Sequence, residues 1–259
     1  MMIIGHRGAS RNAPENTLAA FRLAWEEGAD GIEADFRVSG DGRIVCLHDA
    51  STGRTAGKDL DVASSPLAEL RRLDAGRWQG PAWQGERIPT LAEVLACLPP
   101  GKRLFIELKS GPEIIAPLAH ELHRSGAAPE QLRLLAFSAP LLAELKAQLP
   151  DYRACWLTDC RRRLLSGVWQ PSAEEIFTTL RRSGVDGLAI RGRAILDERF
   201  VAALRKDGKE IHVWTVDAAA AARRFAALGV DSIMTNRPGW LRQKLYAGHC
   251  PGKKAAARQ

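Results

Sequence analysis

No stretch of this 259-residue chain approaches the ~20 uncharged apolar residues of a membrane span, and no basic segment followed by an apolar core stands at its N-terminus. A cytoplasmic protein without stable membrane insertion is therefore expected. Cysteine is scarce: the five residues Cys46, Cys97, Cys155, Cys160 and Cys250 are odd in number and lack C-x-x-C spacing, which argues against a disulfide framework. Isolated strand cysteines such as Cys46 read as inert core. Neither a G-x-G-x-x-G turn nor a Walker-type loop is present, so nothing calls for an open nucleotide-binding sheet. Acidic residues are outnumbered, 30 against 37 Lys and Arg, for a formal charge of +7. That balance suits anionic small molecules. It would also suit nucleic acid, but no recognised nucleic-acid motif or aromatic-basic alternation accompanies it. Part of the excess lies in the Arg161-Arg162-Arg163 run, and part in residues 248–259, which read as a basic, disordered tail.

What is present is a repeating alternation. Apolar strand-like runs begin at Ile3 and Gly31 and recur at Leu104–Leu108, Leu132–Phe137, Tyr152–Leu157, Val185–Ile190, Ile211–Val216 and Ser232–Thr235. Helical patterns fall between them, among them Leu18–Glu27 after Pro14-Glu15-Asn16-Thr17, and one opened by Thr90 with Glu93 three residues on, a capping box. Eight strand–helix units in one chain predict an α/β fold of the TIM (β/α)8 type over residues 1–247. Ser39-Gly40-Asp41-Gly42 predicts a hairpin turn into Arg43–His48. Past it the alternation fails over residues 50–87, which reads as a small insertion after the second barrel strand.

Charged residues punctuate four of the apolar runs: Ile3-Ile4-Gly5-His6-Arg7, Gly31-Ile32-Glu33-Ala34-Asp35, Ile44-Val45-Cys46-Leu47-His48-Asp49 and Leu104-Phe105-Ile106-Glu107-Leu108-Lys109. A buried charge without a partner costs several kcal/mol, so these groups are expected to meet one another. Glu33 and Asp35 are two apart on a strand and face the same way, as do Glu107 and Lys109. In a barrel all four lie at the substrate-binding end. Three converging carboxylates without a cation would force protonation of one, and an all-oxygen donor set suits Mg²⁺ or Ca²⁺ better than Zn²⁺. Surface ion pairing, as of Glu107 with Lys109, is the alternative. His6 and His48 are candidates for general base and acid. Arg7 and Lys109 offer positive charge to phosphate oxygens. Trp214 is placed to wall a pocket or simply to pack the barrel, and Asn236 ends the eighth strand within reach of a substrate or of water on a metal. His120, His123, His212 and His249 receive no role.

The ordered set His6-Arg7-Gly8, Pro14-Glu15-Asn16-Thr17, Glu33-Ala34-Asp35, His48-Asp49, Ile88-Pro89-Thr90-Leu91, Glu107-Leu108-Lys109, Val213-Trp214-Thr215-Val216 and Thr235-Asn236-Arg237-Pro238 resembles the glycerophosphodiester phosphodiesterases, more closely their small cytoplasmic bacterial members. The resemblance implies one divalent cation on Glu33, Asp35 and Glu107, acid–base roles for His6 and His48, and hydrolysis of diesters such as glycerophosphocholine or glycerophosphoethanolamine to sn-glycerol 3-phosphate and an alcohol. Whether the substrate's own 2-hydroxyl attacks, giving a cyclic phosphate, or water attacks directly stays open. One departure is Ala136-Phe137-Ser138, where many relatives carry Ser-Phe followed by Asp or Asn. A lysophospholipase D-like activity on lipid diesters is the nearest alternative, prompted by Trp78 and Trp83 in the insertion; a non-catalytic phosphate- or nucleic-acid-binding protein is the other.

Overall fold

A computed structural model describes residues 1–163 and 169–246; the expected tail at 248–259 lies outside these residues. Eight parallel strands close into a barrel in the order β1 (Met2–His6), β2 (Gly31–Val38), β4 (Arg103–Leu108), β5 (Leu132–Ala136), β6 (Arg153–Thr158), β9 (Gly187–Arg191), β10 (Glu210–Trp214) and β11 (Ser232–Thr235). β11 pairs back onto β1, with Ile3 opposite Ile233, which completes the ring and leaves no barrel edge. β3 (Ile44–Cys46) is the return arm of the expected hairpin, antiparallel to β2 outside the ring, and shorter than the predicted Arg43–His48. β7 (Arg161–Arg162) and β8 (Trp169–Gln170) form a separate two-stranded ribbon after β6.

Helices follow the barrel strands: α1 (Leu18–Glu26), α4 (Leu91–Ala96), α5 (Ile115–Ser125), α6 (Ala139–Gln148), α7 (Ala173–Ser183), α8 (Glu198–Lys206), α9 (Ala219–Ala227) and α10 (Pro238–Tyr246). Local chemistry starts them where the sequence indicates. Thr17 accepts from the Ala20 amide to open α1, and Thr90 and Glu93 cap α4 reciprocally. Ser138, at the position where the sequence departs from many relatives, caps α6 by accepting from the Leu141 amide. No helix among the described residues is long and apolar enough to cross a membrane.

Strand periodicity sorts side chains into two layers. Outward residues such as Ile3, Ile32, Ile106 and Leu188 pack against the helices, while Ile4, Phe105, Leu135, Leu157, Ala189 and Met234 fill the bore. Below them a polar set closes the bottom: Glu210 accepts from Arg133 at 2.7 and 3.0 Å and from Arg153 at 2.7 Å. His212 joins it, 3.3 Å from Glu210 through Nε2 and 2.8 Å from Ser232 Oγ through Nδ1. The insertion contains α2 (Gly53–Ala56), α3 (Leu67–Leu70) and two 3₁₀ turns. It folds around a small core of its own, including Val45, Val62, Leu70 and Ile88.

Candidate active site

On each strand the inward face reaches the mouth two residues beyond a buried inward side chain. Ile4 leads to His6, Glu33 to Asp35, Phe105 to Glu107, Leu135 to Phe137, Leu157 to Asp159, Ala189 to Arg191, His212 to Trp214 and Met234 to Asn236. Chemistry-bearing residues thus gather at the C-terminal end of the barrel, where TIM-barrel sites lie.

The carboxylates converge as expected. Oxygens of Glu33, Asp35 and Glu107 lie within 4.8 Å of one another, and all three residues are buried. Asp35 Oδ1 is 3.1 Å from Lys109 Nζ, which also pairs with Glu107 Oε1. Arg7 Nε is 3.1 Å from Asp35 Oδ2, and the Arg7 amide donates to Glu33 Oε2 at 3.0 Å. Glu33 Oε1 is buried with no hydrogen-bond partner. Burial, with the Asp35 charge adding to it, pushes Glu33 and Glu107 up to about 8. Burial also works against the Asp35 charge, but Lys109, Arg7 and His48 outweigh it and hold this carboxyl at about 2. Three buried acids that cannot all be ionised, one with a bare oxygen, form an all-oxygen donor set that fits a hard divalent ion.

The two histidines are oriented by different partners. His6 Nδ1 lies 2.8 Å from Asn236 Oδ1, while Asn236 Nδ2 donates to Asp217 Oδ2 at 2.6 Å. Because that carboxylate fixes which end of the amide faces it, Asn236 can only accept from His6. The proton therefore sits on Nδ1, and the lone pair on Nε2, 3.9 Å from Glu33 Oε2. His48 Nδ1 lies 2.6 Å from Asp49 Oδ1. Burial lowers the pKa of both imidazoles; Arg7 adds to the effect at His6, while Asp35 and Asp49 oppose it at His48.

Several positioning groups were not singled out from sequence. Arg54, on α2 of the insertion, donates to Asp49 Oδ2 at 2.5 Å and to both Glu15 oxygens at 3.0 and 2.7 Å; Glu15 in turn accepts from Arg7 at 2.9 Å. Arg37 clamps the carbonyls of His48 at 2.8 and 3.0 Å and of Lys109 at 3.3 Å. Asn16 grips Asp35, donating to its side chain at 2.9 Å and accepting from its amide at 3.2 Å. Arg7 and Asn16 adopt left-handed backbone, φ 55° and 59°, a conformation uncommon outside glycine. Gly8 follows at φ +83°, where a Cβ would sit 2.6 Å from the Ala20 backbone; glycine alone lets this loop lie against α1. Asn236, expected to face substrate or water on a metal, also holds His6. Trp214 donates to the Ala189 carbonyl at 3.1 Å and meets Phe137 edge-on at 5.8 Å. A cleft of about 330 Å³ opens beside His6, Arg7, Ser10, Glu15 and Asn236. A larger hollow of about 550 Å³ lies outside the barrel between α4 and α5, away from these groups.

The chain matches the profile of the glycerophosphoryl diester phosphodiesterase family over residues 6–240. It is 33% identical over 243 residues to a glycerophosphodiester phosphodiesterase of Caldanaerobacter subterraneus subsp. tengcongensis, covering 92% of this chain and 94% of that one. With the Bacillus subtilis glycerophosphodiester phosphodiesterase it shares 30% identity over 254 residues, 92% of this chain and 84% of that. Among solved structures, an Oleispira antarctica phosphodiesterase in complex with the product sn-glycerol-3-phosphate superposes with a TM-score of 0.83 at 29% identity, over 95% of this chain and 96% of that. An Agrobacterium tumefaciens glycerophosphodiester phosphodiesterase superposes at 0.79 with 29% identity, over 93% and 98%.

Proposed function

Because the chain belongs to the glycerophosphoryl diester phosphodiesterase family, a family of phosphoric diester hydrolases, we propose that it cleaves glycerophosphodiesters such as glycerophosphocholine and glycerophosphoethanolamine to sn-glycerol 3-phosphate and the free alcohol. The carrying observation is a buried three-carboxylate cluster with a bare oxygen, flanked by two imidazoles whose Nδ1 atoms are both engaged. Glu33, Asp35 and Glu107 would hold one divalent ion, Mg²⁺ or Ca²⁺. When bound, such an ion offsets phosphate charge and makes phosphorus more electrophilic.

The chain's own residues do the rest. Arg7 and Lys109, now paired with Asp35, supply positive charge for the phosphate oxygens, and Trp214 walls the pocket. We assign the base to His6, whose Nδ1 partner is a neutral amide, so that Nε2 keeps its lone pair. The acid is His48, because Asp49 at its Nδ1 opposes the burial that disfavours its doubly protonated form, where His6 has only a neutral amide at that atom. The glycerol 2-hydroxyl attacks phosphorus as its proton passes to His6. The bond to the leaving alcohol breaks as that oxygen takes the proton from His48. Water then opens the cyclic phosphate with the roles reversed. An attacking group already on the substrate is worth up to ~7–11 kcal/mol in favourable cases. It also suits a site whose nearby hydroxyl, Ser10, is committed to the His6 carbonyl and Asn236.

The test is an assay of glycerophosphocholine and glycerophosphoethanolamine after exhaustive chelation, with Mg²⁺ or Ca²⁺ added back. Activity should vanish and return; full turnover without any cation would remove the metal from the reaction. A substrate lacking the 2-hydroxyl should be inert, and its brisk hydrolysis would replace the cyclic route with direct attack by water. Trp78 on the insertion is 44% exposed, which favours lipid diesters as a second reading. Lysophosphatidylcholine turned over faster than glycerophosphocholine would establish it. The four described cysteines are unpaired, which suits a reducing cytoplasm.

A further inference from the structure

The barrel mouth holds a second charged cluster that the reaction above does not use. β6 and β9 stand across the ring from β1, β2 and β4, which carry the carboxylate site. On that far arc Asp159, just past β6, meets three arginines: Arg191 Nη1 at 3.2 Å, Arg193 Nη2 at 3.5 Å and Arg161 Nε at 3.5 Å. One carboxylate cannot neutralise three guanidinium groups, so the cluster keeps an excess of two positive charges. Asp159 and Arg191 continue the inward faces of their strands, after Leu157 and Ala189. Arg193 Nε is also buried without a hydrogen-bond partner.

An aromatic floor joins the two clusters. Lys109 Nζ lies 5.8 Å from the centre of the Phe137 ring, Phe137 meets Trp214 at 5.8 Å, and the Arg191 guanidinium lies 6.0 Å from the Trp214 ring. With the phosphate held between Lys109 and Arg7, one direction leads across this floor to the arginines. Aromatic rings alone would suit a choline-type cation. Here Arg191 already occupies that role over Trp214, so an incoming cation would meet like charge.

Building on the proposed function, we infer that this arc is a subsite for the departing alcohol and that it selects head groups bearing an anion, a carboxylate or a second phosphate. Two matched pairs isolate that charge. Glycerophosphoserine differs from glycerophosphoethanolamine by a carboxylate, and glycerophosphoinositol phosphate from glycerophosphoinositol by a phosphate. In wild type, kcat/KM should favour the anionic member by about two- to fivefold at low salt, the size expected of partly exposed charge pairs, and the ratio should shrink as salt rises. In the double variant Arg191→Gln/Arg193→Gln the ratio should fall to about one. Arg161 is 81% exposed, so Arg161→Gln does not threaten folding and should lower the ratio as well. Preference within a single pair identifies which anion is read. Ratios at or below one in both pairs, or ratios unchanged in the variants, overturn this subsite while the hydrolase reading stands. Failure to hydrolyse any of the four diesters overturns both.

Discussion

Two charged clusters occupy the same barrel bore, one at each end, and they are built on opposite principles. At the bottom, Glu210 is matched by Arg133 and Arg153, and His212 is satisfied by Glu210 and Ser232. At the top, three acids crowd together, Glu33 Oε1 has no donor, and Arg7 and Asn16 take uncommon backbone conformations. Ligand spacing alone does not separate the two, since Cys155, Glu210 and His212 also bring potential ligand atoms within 4.8 Å of one another. The balance of charge does. Two guanidinium groups already compensate the single carboxylate of Glu210, and an added metal ion would have to displace them, whereas at the top Arg7 and Lys109 face three carboxylates. Full internal compensation marks a cluster that holds the fold, and a surplus of buried acid marks one that awaits a cation.

The comparison breaks most readily at the histidines. His6→Ala and His48→Ala should each lower kcat by ~10²–10⁴ while leaving the thermal midpoint near that of wild type. Near-normal turnover in both would end the acid–base assignment. The two can also be told apart. A glycerophosphodiester with a p-nitrophenol leaving group needs no acid in the first step, so the burst of p-nitrophenol should regain most of its rate in His48→Ala and little in His6→Ala.

At the other end the effects should reverse. Glu210→Gln leaves the mostly buried Arg133 without its counter-ion, which should cost about 3 kcal/mol and lower the melting temperature by roughly 5–10 °C. Its kcat/KM should stay within about twofold of wild type; a catalytic defect without a stability defect would erase the distinction between the ends. Divalent ions should act only at the top. At a concentration 100 times its Kd, an ion should stabilise wild type by about 2.7 kcal/mol, and Asp35→Asn should lose most of that gain in a thermal melt.

Acid gives the smallest effect. Burial acts to raise the Glu210 pKa, but hydrogen bonds from His212 and Arg133 outweigh it and hold it well below the usual carboxylate range. The folded pKa is thus depressed, and the stability it contributes is present above the unfolded value, ~4.3, and fades as pH falls below it. Melting temperature should drop with acid more steeply in wild type than in Glu210→Gln. Parallel profiles would show that Glu210 is not the group responsible.

The barrel was legible in the sequence because eight short apolar runs, buried on both faces, alternate with helical patterns, and the acids were legible because charge interrupts those runs. Their convergence follows from spacing two apart on adjacent strands. The hold of Asn236 on His6 was not legible because the two lie 230 positions apart, and no local pattern records which way an amide turns. Arg54 and Arg37 were missed for a similar reason: both bind loop atoms whose positions depend on tertiary closure. His212 did carry an unused signal. Glu210 and His212 alternate on one strand face as Glu33 and Asp35 do, and the arrival of Arg133 from β5 and Arg153 from β6 distinguishes a fastening from a reaction centre.

The bonds from Arg54 to Glu15 and Asp49 mean that the insertion is not a detachable ornament. A chimaera that exchanged residues 50–87 wholesale for a relative's loop would cut the brace behind both Arg7 and His48, and would be inactive for want of alignment even with every reacting group present. Loop grafts intended to retune substrate choice should therefore begin after α2, keeping Arg54 with the barrel it serves.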